Sequence, residues 1–170
     1  MTKVGKPWHL PVRLDDVPET GLHLDLVADD AVRADVGALA ELRDLPRLAA
    51  AIDIVRHGEG LRATGQVSAT VGQICVITLE PMESKVSEAF DVIFAPAVAA
   101  DPATEAAEPP EALVDGVADV GAVATEFFLL GIDRYPKKPG AVFAPPPVES
   151  TGAGAFAALA RLKDPDAGKP

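Results

Sequence analysis

"LRATGQVSATVGQICVITLEP", Leu61 to Pro81, is the stretch whose reading decides the fold. Up to Val71 the odd positions, Leu61, Ala63, Gly65, Val67, Ala69 and Val71, are small or apolar, whereas Arg62, Thr64, Gln66, Ser68 and Thr70 are polar. That period of two describes a strand with one buried and one wet face. Beyond Gly72 the pattern changes, because Ile74, Cys75, Val76, Ile77 and Leu79 are apolar on both faces. The expectation is one long strand that bends near Gly72 and enters a fully covered region, since glycine inside a strand often marks a bulge.

Outward from this stretch, Leu48 to Arg56 reads as the preceding strand, turned by His57-Gly58-Glu59-Gly60. Glu80-Pro81-Met82-Glu83 reverses the chain into a strand from Lys85 to Ala95, with Val86, Phe90, Val92 and Phe94 on one side. Three consecutive antiparallel strands make a meander, and long bent strands give a strongly curved sheet. Upstream, Trp8 to Leu14 and Gly21 to Val27 read as short strands. Asp29 and Asp30 are N-cap candidates for a helix ending near Arg43, whose Val32, Val36, Leu39 and Leu42 keep helical spacing. Downstream, Pro96 to Ala112 is rich in Ala, Pro, Glu and Asp and reads as a mobile acidic loop. Asp115-Gly116 is a turn, and Asp119 caps a mostly apolar helix through about Ile132 that should pack across the sheet. The expected fold is α+β: a curved antiparallel sheet of about five or six strands packed by two main helices. Residues 1–147 form one domain, and 148–170 a linker, a short amphipathic helix and a tail.

With 170 residues, 48% of them hydrophobic, the chain is long enough for a real core. Its single cysteine excludes an intramolecular disulfide and fits a reducing compartment. The first residues lack an apolar signal core and no run approaches spanning length, so a cytoplasmic protein without a membrane partner is expected. The net charge of −11 is local: from Val86 to Asp133 there are ten acids and no Lys or Arg, and the remainder is nearly neutral. Phosphate binding rests on Lys and Arg, so the charge weakens direct RNA binding without excluding it.

Few residues carry chemistry. Cys75 sits among apolar neighbours and reads as a small buried hydrophobe. His9, His23 and His57 are scattered, so no zinc ligand set forms and no metal or cofactor is expected. No nucleophile elbow is present, and no catalytic residue is assigned. Glu80 and Glu83 read as solvated turn acids, and Glu126 as a polar residue on an apolar helix. Arg134, Tyr135, Lys137 and Lys138 form the one dense basic cluster. Cations with an aromatic between them suit phosphate contacts plus base stacking, or equally a cationic helix end that favours the macrodipole. Phe156, Leu159 and Leu162, on one side of the tail helix, are either a docking motif or a flap on the chain's own sheet.

The blocks "GQICVITLEPMESKVSEAFDVIFAP" (Gly72 to Pro96) and "LVDGVADVGAVATEFFLLGIDRYPKKPGAVF" (Leu113 to Phe143) resemble the YceD family, the large ribosomal RNA subunit accumulation proteins. The similarity extends weakly over most of residues 8–163. Many members carry C-x-x-C where this chain has Cys75-Val76-Ile77-Thr78, so the second thiol is missing. The resemblance implies a non-enzymatic factor in large-subunit ribosomal RNA accumulation and ribosome assembly. Its partner is then either the large-subunit RNA precursor, met by Arg134, Tyr135, Lys137 and Lys138, or a basic ribosomal protein, met by Glu105, Glu108 and Glu111 and by the tail helix. The readings from other classes are an RNA-processing hydrolase using Glu80, Glu83 or Glu126, and a degenerate zinc-ribbon-like interaction module.

Overall fold

The computed structural model describes residues 8–96 and 110–145. Strands β1 (Pro11–Arg13), β2 (Leu22–Val27), β3 (Asp44–His57), β4 (Gly60–Ile74), β5 (Pro81–Pro96), β6 (Glu111–Leu113) and β7 (Val117–Asp119) are joined by helices α1 (Asp30–Leu39) and α2 (Val120–Leu130). Five strands make one open sheet in the order β2-β3-β4-β5-β6, antiparallel except for β5 and β6. The other two, β1 and β7, pair apart from it. The fold is α+β, as the sequence pattern requires.

The alternation in β4 builds the core. Leu61, Ala63, Val67, Ala69 and Val71 are buried, and so are Leu48, Ala50, Ile52 and Ile54 on β3 and Val86, Phe90 and Phe94 on β5. Helix α2 lies against this face of β4 and β5, with Phe128, Val120 and Ala124 excluded from water. Gly65 has a specific task here. A Cβ on it would stand 2.5 Å from the Ala51 carbonyl oxygen and 2.8 Å from the Phe90 ring, which in turn meets Phe127 with centroids 5.4 Å apart. The opposite face of the sheet is open to solvent, with Arg62 held by Asp91 and His23 by Asp53.

Several boundaries differ from the sequence expectation for identifiable reasons. Helix α1 stops at Leu39 rather than near Arg43, because Glu41 takes a left-handed φ of 54° and the Leu42 N–H closes back on the Gly37 carbonyl. β3 then begins at Asp44 and passes through Pro46, which is accommodated by a register shift between Asp44 and Arg47. A bulge is where a strand tolerates proline. Residues 8–14 contribute β1, outside the main sheet. Pro96 closes β5, and Glu111 and Ala112 pair with it as β6, so the ends of the expected mobile loop belong to the sheet. Glu105 and Glu108, in the middle of that loop, and Phe156, Leu159 and Leu162 lie outside the described residues. The Asp115-Gly116 turn (φ 52° and 73°) closes Val114 onto Val117, and Asp119 caps α2 through the Ala122 N–H, both as expected.

Candidate nucleic-acid interface at the end of the central hairpin

The covered strand end expected beyond Gly72 is a turn instead. β4 ends at Ile74; the Leu79 N–H bonds to the Cys75 carbonyl and the Cys75 N–H to that of Glu80, with Leu79 at φ 59°. Cys75 is fully buried, while Ile74, Val76 and Leu79 are exposed. The apolar run therefore supplies one core residue and a patch of apolar surface, which overturns the reading of two buried faces.

The chain leaving α2 is tied to this turn. The Val76 N–H donates to the Pro136 carbonyl (2.9 Å), and the Lys138 N–H to Cys75 Sγ (3.3 Å). The Thr78 N–H also reaches Sγ, at 3.5 Å. Hydrogen bonds from Thr78, and after it Lys138, favour the thiolate and hold the Cys75 thiol down to about 6. Lys138 Nζ pairs with Glu80 Oε2 at 2.7 Å and keeps that carboxyl below its ordinary range. Gln73, buried under the turn, donates from Nε2 to the Asp133 carbonyl and accepts from Ser84 Oγ, both at 2.7 Å. Asp133 Oδ1 in turn accepts from the Tyr135 N–H.

This stitching frames a cleft of about 700 Å³. One wall is the α1–β3 connection, with Leu39, Glu41 and Arg43; the floor is Gln73, Ile74 and Val76; the other wall is Ile132 to Pro136 with Arg134 and Tyr135. Arg43 is fixed at the backbone by its N–H donating to the Gly72 carbonyl, and its guanidinium meets Asp44 only at 3.6 Å. Arg134 and Lys137 are exposed, and Tyr135 is 72% exposed. Guanidinium forks, an open ring face and apolar lining suit phosphate and base contacts.

Of the four residues singled out in the basic cluster, Arg134 and Tyr135 line the cleft, Lys137 follows on the surface, and Lys138 is a brace held by Glu80. Two contributors escaped sequence reasoning. Arg43 comes from a connection about 90 residues away, which no local pattern reveals. Gln73 was visible in principle: it continues the odd, buried register of β4 yet is polar, so it had to have a buried partner.

The acids of the hydrolase reading are dispersed: Glu80 is taken by Lys138, Glu83 is exposed on β5, and Glu126 is exposed beside a separate cavity. Among the described residues, no three His, Cys, Asp or Glu side chains gather as metal ligands, and no helix is long and apolar enough to cross a membrane. His9 bonds to Asp119 at 2.8 Å and His23 to Asp53 at 2.7 Å.

The fold is an α+β domain with a cleft at the end of its central hairpin, where Arg43 and Arg134 stand with Glu41, Asp133 and the Tyr135 ring. The profile of the family described as large ribosomal RNA subunit accumulation protein YceD matches residues 63–163. The chain belongs to this YceD family, which ties it to a ribosome-related role. The matched span holds β4 from Ala63 onward, β5 and α2, as well as Gln73, Arg134, Tyr135 and Lys137; Arg43 lies before it. No curated protein and no solved structure matches the chain significantly.

Proposed function

We propose that this protein is a non-enzymatic factor that supports large-subunit ribosomal RNA accumulation by holding a single-stranded segment of the precursor in the cleft. Arg43, Arg134 and Lys137 contact phosphates, and Tyr135 stacks on a base. The observation that carries this reading is the meeting of Arg43 with Arg134 and Tyr135 across one cleft, from elements far apart in the chain. Lys138 acts through the Glu80 pair as a support for the segment rather than as a contact.

The reading is tested in cells with a tagged protein, ultraviolet crosslinking and sequencing of the bound RNA. Large-subunit precursor should be enriched, and the Arg134→Glu, Lys137→Glu protein should lose it while staying folded and abundant. Unchanged enrichment with that variant would remove the cleft as the contact. Enrichment of a basic protein, with no RNA, would favour a chaperone acting on a ribosomal protein instead.

A further inference from the structure

Among the described residues, the outer edge of β5 is nearly bare, and strand pairing on that side occurs only at Phe94–Pro96, where β6 adds in parallel. From Met82 to Ile93, roughly 40 Å at the rise of an extended chain, no strand of the described residues lies beside the edge. Such an edge presents a row of backbone donors and acceptors, and natural sheets usually shorten, cover or charge it. Here it is long, and β6 shows that a strand adds to this edge at Phe94–Pro96, while Gly131, just past α2, packs against the side chains of Val86 and Glu88.

At the Phe94 end lies a second cavity of about 340 Å³. Phe94, Val114, Val117, Ala122 and Val123 give it an apolar lining, with Glu111 and Glu126, both exposed, among its walls. Along the strand, Glu83 is exposed and Glu88 half-buried, whereas Asp91 is neutralised by Arg62 and Lys85 is the one base. The ten acids without a base between Val86 and Asp133 surround this strand in sequence.

We propose that the free edge of β5, with the cavity at its Phe94 end, receives an extended, positively charged polypeptide segment as an added strand. Backbone pairing supplies the affinity, and a Lys or Arg whose alkyl stem lies on the apolar lining reaches Glu111 and Glu126. This site is separate from the RNA cleft and stands or falls without it.

The test uses the full chain and a capped synthetic peptide of alternating Arg and Val. Hydrogen exchange should slow at the outward-pointing amides between Glu83 and Ile93, those not bonded to β4, when the peptide is added. A peptide N-methylated on alternate residues keeps the charge but loses backbone donors, and should bind at least about tenfold more weakly. The Glu111→Gln, Glu126→Gln protein, with its fold checked by circular dichroism, should also lose about tenfold, as for one charge-assisted hydrogen bond. Protection in the free chain of the outward-pointing amides between Glu83 and Ile93, the alternate ones not bonded to β4, would mean that the chain covers its own edge, and would overturn the proposal. Equal binding of the N-methylated peptide would overturn it too, by reducing the contact to charge alone. So would protection confined to the Arg43–Arg134 cleft.

Discussion

Gln73 is the strut beneath the candidate RNA site, and Gln73→Ala is the perturbation that reads its role. The side chain is about nine-tenths buried and makes two bonds of 2.7 Å, one to the Asp133 carbonyl and one from Ser84 Oγ. Each is worth about 0.5–1.5 kcal/mol net. Asp133 is exposed and Ser84 half-buried, so water reaches the abandoned partners and the full penalty of stranded buried groups does not apply. The expected loss is therefore about 2 kcal/mol, a fall in Tm of about 4–8 °C for a chain of this size. The Asp133 carbonyl also opens the segment that carries Arg134 and Tyr135, so RNA affinity should fall although no contact residue has changed. Thermal melts read the first effect and fluorescence anisotropy with single-stranded RNA, well below the new Tm, reads the second. Ser84→Ala combined with Gln73→Ala should cost less than the two separately, because both remove the same bond. A Tm within a degree of the unmodified protein would refute the strut, and a lower Tm with unchanged affinity would refute its connection to the site.

Three further outcomes follow from the same geometry. Gly65→Ala should destabilise by about 1–3 kcal/mol in denaturant melts, since the new methyl meets a strand carbonyl at 2.5 Å and displaces the Phe90 ring; a neutral substitution would mean that the two strands separate easily. The Cys75 thiolate absorbance should titrate near pH 6, with a higher midpoint in Thr78→Val. Because this pKa lies below the ordinary thiol value, Cys75's contribution to stability is present above about pH 8.5 and fades as pH falls through 6; a midpoint near 8.5 would contradict the sulfur bonds. His23, raised by its bond to Asp53, stabilises below its unfolded value of about 6.5 and ceases to do so as pH climbs through the folded value. In Asp53→Asn its NMR titration should move down, and an unmoved midpoint would show that the pair does not form.

Much of the frame was legible because β4 keeps strict alternation and the helix starts carry Asp caps, Asp29 on Val32 and Asp119 on Ala122. Local patterns fail where the partner is remote. The run Ile74 to Leu79 looks like a buried strand, yet its exposure depends on a turn tied to Pro136 and Lys138, more than fifty residues away. β1 falls within the strand read at Trp8 to Leu14, but β7 holds three residues and exists by pairing with β1, and β6 by pairing with β5, neither of which a short window contains. The basic side of the site was half visible for the same reason: Arg134, Tyr135 and Lys137 stand together in sequence, and Arg43 joins them only through the fold.

The central claim, RNA held in the cleft, is tested most directly by titrating a single-stranded oligonucleotide of large-subunit precursor RNA against the protein at several salt concentrations. The account predicts a slope of about −2 in log affinity against log salt, for three phosphate contacts on a single strand, and so a loss of about 20-fold between 50 and 200 mM salt. Arg43→Glu, Arg134→Glu, Lys137→Glu should abolish the binding with the Tm nearly unchanged, because none of the three side chains is buried. Binding of equal strength and equal salt dependence by that variant would contradict the account.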